Sequence, residues 1–312
     1  MVLGAGRGLR MRPLSMVVPK PALPLPDGPV IASAIRLAAA AGARNIAVNT
    51  WHLADRMAAA VAEVDLPGVT IVLSREDSLM GTAGGLALAR DRGLLGDSGP
   101  ILVVNGDGAL GLDLSPLLDD HLRRADLVTL ALLPHLDPRR WSQVELDAKG
   151  HVAAILPAGQ PGPDRVPYLY PGVMVVSRPA LESLPSTPGE IPGELWQPAR
   201  VAGGLGGTVV AGHWREVGTP AEYLDLVVTR LAGASLIHPT AEVAASAGLD
   251  EALIGAGASV AADATVRRSA VVGGAAVAAG STVVDSVLIG EARTGDAEFV
   301  CNQYRIGALS TS

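Results

Sequence analysis

The sequence predicts an α/β fold with a mixed sheet, followed by a short parallel β-helix. Three observations support this. Up to about residue 126, continuous apolar runs alternate with helix-like runs, a pattern typical of buried parallel strands separated by helices. After Asp126 the runs become strand-rich, which favours a mixed sheet. From Val243 to Ile289, aliphatic residues recur about every six residues, which is neither a helix nor a strand period.

The first part of the chain supplies the elements of the sheet. Asp27 and Gly28 precede a helical run and Gly42 follows it, which are start and stop signals for a helix. The predicted helices are 29–41, 53–64, 83–92 and 221–231, and the predicted strands are 1–3, 45–49, 69–73, 101–105, 127–133, 142–146, 151–155 and 169–176.

The second part predicts a triangular β-helix, in which each face takes six residues and points one aliphatic side chain inward. The predicted inward residues are Val243, Ile254, Val260, Val266, Val272, Val277, Val283 and Ile289, with one shorter step before Val277. The alternative is an Ala/Gly-rich linker. The pattern gives about three turns and an irregular tail after Glu298. We therefore predict two domains, 1–232 and 236–312, and expect so short a coil to lean on the first domain or on another copy as a homo-oligomer.

Composition excludes several classes of protein. The formal net charge is −7 and no Lys/Arg block occurs, which argues against a nucleic-acid-binding protein. Cys301 is the single cysteine, so neither an internal disulfide nor a cysteine zinc cage can form. Neither a signal peptide nor a convincing membrane span is visible, so we expect a soluble, cytoplasmic protein with no membrane partner.

A glycine loop from Gly4 to Gly8 follows the first strand. A Rossmann fingerprint needs a third glycine where Leu9 stands and a helix that the following prolines forbid, and a P-loop needs a Gly-Lys-Ser/Thr sequence that is absent. A structural turn and a nucleotide-cradling loop remain. Arg10 and Lys20, one of only two lysines, favour the second, because glycines admit phosphate oxygens to the backbone and cations neutralise them.

Several segments together carry a resemblance to a known family. They are residues 4–15 with Pro19-Lys20-Pro21, residues 48–53, Glu76 with residues 79–85, residues 104–107, residues 170–173 and residues 214–220. In this order they resemble the signature segments of the sugar-1-phosphate nucleotidyltransferases. The Gly81-Thr82-Ala83-Gly84 segment and the short coil are most similar to the mannose-1-phosphate guanylyltransferase branch.

The resemblance implies a Rossmann-like catalytic domain with a left-handed β-helix, and transfer of a nucleotidyl group from a nucleoside triphosphate, best GTP, to a sugar 1-phosphate, best mannose 1-phosphate. The expected cofactor is Mg²⁺. The implied catalytic residues are Arg10 and Lys20, and the implied metal ligands are Asp107 and Glu216. The implied nucleotide contacts are Gly4, Ala5, Gly6, Gly8, Glu76, Gly81 and Thr82. The implied sugar-phosphate contacts are Glu145, Tyr170 and Gly172.

Three departures from the family pattern keep a second hypothesis open. Leu9 and Glu216 stand where the family usually has Thr and Asp, and residues 156–160 lack the family's usual lysine, leaving Arg165 as the nearest cation. The alternative is a non-catalytic paralogue that binds nucleotide sugar and regulates a partner. A third class, an acyltransferase built on the hexad coil, is disfavoured because three turns rarely complete such a site.

Overall fold

A computed structural model describes residues 1–135, 137–160, 166–307 and 309–311 of the chain, and for 309–311 only the backbone. Contacts divide the chain into two compact units. Unit 1 comprises residues 1–6, 31–54 and 65–215, and unit 2 comprises residues 7–30, 55–64 and 216–312. Each unit is made of three separate segments of the chain. The two contiguous domains predicted from the sequence therefore stay a prediction.

Fourteen strands precede the coil in the described part of the chain. They are β1 (Val2–Leu3), β2 (Pro24–Leu25), β3 (Gly28–Pro29), β4 (Asn45–Thr50), β5 (Thr70–Arg75), β6 (Ile101–Asn105), β7 (Gly108–Leu112), β8 (Val128–Pro134), β9 (Gln143–Leu146), β10 (Val152–Leu156), β11 (Tyr168–Leu169), β12 (Val173–Val176), β13 (Leu205–Val209) and β14 (Gly212–Glu216).

The helices with α geometry are α1 (Ile31–Ala40), α2 (Ala54–Ala62), α3 (Gly81–Asp91), α4 (Ser115–Arg124), α5 (Arg178–Glu182), α6 (Gln197–Val201) and α7 (Pro220–Leu231). A π-helical turn, Pro192–Trp196, leads into α6, and three short 3₁₀ turns lie at Leu9–Met11, Leu14–Met16 and Lys20–Ala22. The helix predicted over 29–41 begins two residues later, because Gly28–Pro29 pairs with Pro24–Leu25 in an antiparallel ladder.

Unit 1 is built on a mixed sheet, as the sequence predicts. Its strand order is β10-β9-β11-β8-β12-β6-β1-β4-β5, with β13 paired to β8. Strands β6, β1, β4 and β5 run parallel, while β12 is antiparallel to both β6 and β8. The predicted strand 169–176 is interrupted at Gly172, whose φ of +86° separates β11 from β12.

One core of unit 1 packs helices α3, α5 and α6 on a single face of this sheet. Leu86, Leu130, Met174 and Leu181 are among its completely buried members. Apolar side chains on both faces of the central strands agree with the continuous hydrophobic runs from which those strands were predicted.

Unit 2 contains the parallel β-helix, whose strands are β15 (Leu236–Ile237), β16 (Glu242–Val243), β17 (Gly248–Asp250), β18 (Leu253–Ile254), β19 (Ser259–Val260), β20 (Thr265–Arg267), β21 (Ala270–Val272), β22 (Ala276–Val277), β23 (Thr282–Val284), β24 (Val287–Ile289), β25 (Phe299–Cys301), β26 (Tyr304–Ile306) and β27 (Leu309–Thr311). They form three faces of stacked strands, and β27 alone runs antiparallel to its neighbour.

Each turn of the coil takes 17 residues, so the prediction of one six-residue period with a single slip is wrong in detail. Leu253 pairs with Ala270, Ala270 pairs with Val287 and Val287 pairs with Tyr304. The inward positions therefore advance by six, five and six residues. Four such turns separate β15 from β26, rather than the three expected.

This register corrects two of the predicted inward residues. Val271 and Leu288 belong to the interior of the coil, while the next residues, Val272 and Ile289, point to the opposite side of the strand. Val272 and Ile289 are nevertheless buried, and they line a cavity with Val18, which belongs to the same unit. Burial on both sides of this face hid the shorter step.

The region after Glu298 is also regular, contrary to the expectation of an irregular tail. Strand β25 pairs in parallel with β23, and β26 pairs in parallel with β24. Val300 supplies a fully buried inward side chain. The aliphatic period is interrupted before Val300, because the polar Thr294 occupies the position one turn after Val277.

Helix α7 follows strand β14, which pairs with β7 in a separate two-stranded sheet, and leads into the coil. Thr219 and Glu222 form a capping box at its N-terminus, and Tyr223 donates a hydrogen bond of 2.6 Å from its hydroxyl to the Pro24 carbonyl. These contacts secure the helix to the N-terminal segment of its own unit.

Candidate active site

The order of strands in unit 1 reverses between β1 and β6. The chain passes from β1 outward through β4 to β5 and then returns to the other side of β1 as β6. In open α/β sheets, ligands bind outside the carboxyl ends of the strands at such a reversal. The loop Gly4–Gly6 leaves β1 and the turn holding Asp107 leaves β6, so both lie at this point.

The two loops are tied together by backbone contacts. Leu3 and Asn105 are paired at the ends of β1 and β6, and the Gly106 amide donates a 2.8 Å hydrogen bond to the Leu3 carbonyl. A Cβ on Gly106 would lie 3.0 Å from that carbonyl oxygen, so a larger residue would crowd the contact. Asp107 follows in the turn and is exposed. The structure thus places the predicted metal carboxylate beside the beginning of the glycine loop.

A buried polar chain fixes the first residue of the loop. The Gly4 amide donates to Asn49 Oδ1 at 2.8 Å, and Asn49 Nδ2 donates to Glu76 Oε1 at 2.7 Å. The other Glu76 oxygen accepts from the Met80 amide at 2.9 Å. A Cβ on Gly85 would lie within 2.7 Å of both side chains, so glycine is needed beside this chain.

Glu76 therefore lies behind the surface of the site. It is 6% exposed, and both of its oxygens accept hydrogen bonds from protein groups. Burial raises the pKa of this carboxyl above its ordinary value, while the hydrogen bonds from Met80 and Asn49 and the charge of Arg92 act in the opposite direction. Its geometry is that of a positioning residue, and a contact with the nucleotide base stays a prediction.

Gly81 and Thr82 begin helix α3 and are covered by the segment 187–191, which we call the strap. The Gly189 amide donates to the Met80 carbonyl at 2.9 Å, and the Ala83 amide donates to the Gly189 carbonyl at 3.0 Å. Glu190 Oε2 accepts from the Thr82 hydroxyl at 2.7 Å and from the Thr82 amide at 3.3 Å. Sequence reasoning missed Glu190, because it lies more than 100 residues from Thr82.

The three predicted sugar-phosphate residues do not all line one surface. The Tyr170 ring packs edge-on against Trp196 with 4.9 Å between centroids, and burial raises the pKa of its hydroxyl. The Gly172 carbonyl accepts a 2.7 Å hydrogen bond from the Asn105 amide, and a Cβ on Gly172 would lie 2.7 Å from Asn105 Nδ2. Gly172 thus has a packing reason to be glycine.

Glu145 lies in the middle of strand β9 and is 1% exposed. Within the described residues, neither of its carboxylate oxygens has a hydrogen-bond partner. Its prediction as a sugar-phosphate contact stays untested by this arrangement. Arg165, the cation expected nearest to the acceptor, lies outside the described residues.

Two tryptophans stand close to the Asp107 turn. A Cβ on Gly108 would lie 3.0 Å from Trp214 Nε1, and the rings of Trp214 and Trp141 meet edge-to-face at 5.4 Å. The Arg140 guanidinium lies 4.5 Å from the centre of the Trp141 ring. Half-buried aromatic rings with a cation therefore border the turn, and only Trp214 was quoted among the sequence motifs.

Unit 2 carries the remaining predicted residues. Gly8 has a φ of +57°, and its carbonyl accepts a 2.7 Å hydrogen bond from the Ser15 hydroxyl. A Cβ on Gly8 would lie 3.0 Å from Ser15 Cβ and 3.6 Å from Lys20 Cβ. Lys20 is 9% exposed. The second half of the glycine loop is therefore packed against the predicted catalytic lysine.

Arg10 and Glu216 form an ion pair with 2.8 Å between Arg10 Nη2 and Glu216 Oε1. The Arg10 side chain is 69% exposed and the Glu216 side chain only 16%. A Cβ on Gly218 would lie 3.0 Å from each of these side chains, so glycine at position 218 leaves room for the ion pair beside the backbone. The structure brings together a cation and a carboxylate that sequence reasoning assigned to phosphate and to metal.

The described residues contain no cluster of three or more His, Cys, Asp or Glu side chains that could hold a metal ion. Asp107 and Glu216 belong to different units, so their use as a pair stays a prediction. Carboxylates are nevertheless suitable donors for Mg²⁺, which takes few protein ligands and completes its shell with water and phosphate oxygens. The donor chemistry of Asp107 and Glu216 thus fits the predicted ion.

The model of the nucleotidyl transferase family matches residues 1–232. The chain belongs to this family. The matched range includes both the reversal of strand order and the glycine loop that follows β1.

Curated relatives of this family member include the mannose-1-phosphate guanylyltransferase of Mycobacterium tuberculosis, 30% identical over 227 residues, which cover 72% of this chain and 62% of that protein. Mannose-1-phosphate guanylyltransferase 1 of Arabidopsis thaliana is 25% identical over 232 residues, with coverages of 72% and 62%. The chain thus spans less than two thirds of the length of these relatives.

Solved structures share the fold. HddC from Yersinia pseudotuberculosis superposes with a TM-score of 0.61 at 19% identity, covering 73% of this chain and 97% of that one. A putative glucose-1-phosphate thymidylyltransferase from Bacillus anthracis, in complex with a sucrose, gives a TM-score of 0.60 at 20% identity, with coverages of 73% and 93%. Among the residues that the structure describes, no helix is both long and apolar enough to cross a membrane.

Proposed function

We propose that this protein transfers a nucleotidyl group from GTP to mannose 1-phosphate, giving GDP-mannose and pyrophosphate. The observation that carries the proposal is the arrangement at the β1/β6 reversal, where the glycine loop and Asp107 leave adjacent strands. Relatives named mannose-1-phosphate guanylyltransferase support the choice of substrates. A structure of HddC complexed with GMP-PN, at 19% identity, agrees with nucleotide binding by this fold.

The proposed reaction needs no covalent enzyme intermediate. A phosphate oxygen of the sugar 1-phosphate forms a bond to the α-phosphorus, and the bond from that phosphorus to the β-phosphate bridging oxygen breaks. Pyrophosphate leaves with the electron pair. Both reactants are polyanions, so the protein has to hold them in line and compensate their charge.

The chain's own residues divide this work. Backbone amides of the Gly4–Gly8 loop approach the phosphates, and Asn49 holds the Gly4 amide in place. Lys20, anchored behind Gly8, neutralises phosphate oxygens, and the exposed Arg10 compensates charge on the departing pyrophosphate. Asp107 and Glu216 would hold Mg²⁺, which when bound screens the phosphates and polarises the phosphoryl group.

The test is a matrix of nucleoside triphosphates against sugar 1-phosphates with Mg²⁺, read by released pyrophosphate. We expect the highest kcat/KM for GTP with mannose 1-phosphate. Asp107→Asn should abolish turnover and leave the fold intact, while Asp97→Asn, an exposed aspartate in the loop before β6, should not change it. Arg10→Ala should lower kcat by about 10²-fold or more.

Two outcomes would contradict the proposal. Turnover at the wild-type rate in Asp107→Asn would remove Asp107 from the reaction. Tight binding of nucleotide sugar without pyrophosphate release from any pair of substrates would favour the regulatory paralogue instead.

A further inference from the structure

Glu190 presents a carboxylate at the segment that sequence reasoning assigned to the base of the nucleotide. Glu190 is exposed, and its Oε2 is held by two hydrogen bonds from Thr82. Among the described residues, no Lys, Arg or His forms an ion pair with it. Its second oxygen, Oε1, accepts no hydrogen bond within that part of the chain. The carboxylate is therefore fixed in orientation and keeps an acceptor available.

The strap brings this oxygen unusually close to the backbone of helix α3. A Cβ on Gly81 would lie 2.8 Å from Glu190 Oε1 and 2.5 Å from the Gly189 carbonyl oxygen. The φ of Gly81 is +72°, which other residues rarely adopt. The Ile191 amide also donates to the Thr82 hydroxyl oxygen at 2.9 Å. Glycine at position 81 and the bonds of the strap together set the place of the carboxylate.

The arrangement changes what this segment can offer to a ligand. Both donors of Thr82, its amide and its hydroxyl, are used by Glu190. The group that remains is an acceptor, because a carboxylate has oxygens only. A base that binds here with good complementarity therefore has to present donors.

Guanine is the base with the matching edge. Its N1–H and its N2 amino group are adjacent donors, whereas uracil and thymine present one N–H between two carbonyl oxygens. Adenine presents one amino group beside an acceptor nitrogen. Hydrogen bonds to a carboxylate are about twice as strong as those between neutral groups, and they discriminate strongly when a donor is missing.

We propose that Glu190 accepts hydrogen bonds from N1–H and the N2 amino group of guanine and thereby selects GTP. The inference rests on the proposed function for the existence of a nucleotide site, and it adds the residue that chooses the base. Residues of the strap would then act as part of the substrate site rather than only as support for α3.

The sharpest test uses inosine triphosphate (ITP), which differs from GTP only by lacking the N2 amino group. We expect the wild-type enzyme to prefer GTP over ITP in kcat/KM by about tenfold or more, the value of one charge-assisted hydrogen bond. In Glu190→Ala this ratio should fall to about one, because GTP loses the hydrogen bonds from both N1–H and the N2 amino group, whereas ITP loses only the one from N1–H. Glu190→Gln keeps an acceptor for Thr82 and should give an intermediate ratio.

Glu182→Gln is the matched control, because Glu182 is an exposed carboxylate with a 58% exposed side chain on helix α5. It should keep the wild-type preference. If Glu190 serves only to hold the strap, Glu190→Ala will weaken GTP and ITP equally and shift the thermal midpoint, which would overturn the inference.

Binding separates this inference from the proposed reaction. Titration of GDP and inosine diphosphate, followed by tryptophan fluorescence, needs no turnover. A preference for GDP that disappears in Glu190→Ala supports the inference even where no sugar 1-phosphate reacts. Turnover with an unchanged GTP/ITP ratio in Glu190→Ala would refute the inference and leave the reaction standing.

Discussion

Asn49→Ala tests the buried chain that fixes the glycine loop. The substitution removes the acceptor of the Gly4 amide and the donor to Glu76 Oε1, two hydrogen bonds of 2.8 and 2.7 Å. Asn49 is 2% exposed, and Glu76 is 6% exposed. Water cannot easily replace a side chain at such a position without local rearrangement.

The magnitude follows from the two groups that lose their partner. An orphaned buried amide costs about 1–3 kcal/mol, and an orphaned oxygen of a buried carboxylate costs more. Partial relaxation around the cavity reduces the sum, so we expect a loss of about 3–5 kcal/mol in the free energy of unfolding. A loss of this size is a large part of the total stability of an ordinary domain.

Urea unfolding followed by tryptophan fluorescence measures the loss, and hydrogen exchange of the peptide that contains Gly4 locates it. Asn45→Ala is the control, because Asn45 lies on the same strand and is exposed. It should change stability by less than about 0.5 kcal/mol. An Asn49→Ala protein within about 1 kcal/mol of the wild type, with the Gly4 amide still protected, would refute the role of the chain.

Two further predictions concern the same edge of the sheet. Burial raises the folded-state pKa of Glu76 above its ordinary value of 4.5. The stability of the wild type relative to Glu76→Gln should therefore fall as pH rises from below 4.5 through the folded-state pKa. A difference in the free energy of unfolding in urea that stays flat or rises between pH 4 and 8 would contradict this. Gly172→Ala combines a φ of +86° with a contact of 2.7 Å to Asn105 and should cost about 3 kcal/mol in chemical unfolding. Gly96→Ala has a φ of +66° and open space around it, so it should show the conformational cost alone, and equal losses in the two variants would argue against the contact.

The fold could be predicted from the sequence largely because its periods are local. Strand β6 was predicted with its observed bounds, since an apolar run ends there in Asn105 and Gly106. The coil was found from its aliphatic spacing, but its register was misread at Val272 and Ile289. Residues on both sides of that face are buried, and a period in hydrophobicity cannot choose between two buried sides.

Most of the site residues named from the sequence lie in short segments that resemble a family signature. Asp107 was named as a metal ligand because residues 104–107 form one such segment, which includes the end of the buried strand β6. Glu190 was missed because its contact with Thr82 joins segments far apart along the chain, and the one local trace of that contact is the glycine at position 81. The buried place of Glu76 depends on Asn49, which no local pattern connects to it.

The 17-residue turn makes the coil a column of interchangeable layers. In each layer the inward side chains, such as Val266, Val283 and Val300, stack directly on their counterparts one turn away. Removing or adding a complete layer would leave each remaining layer stacked on an equivalent one. Any other change of length would shift the register and point inward aliphatic side chains toward solvent. This end of the molecule can therefore grow or shrink during evolution only in whole layers.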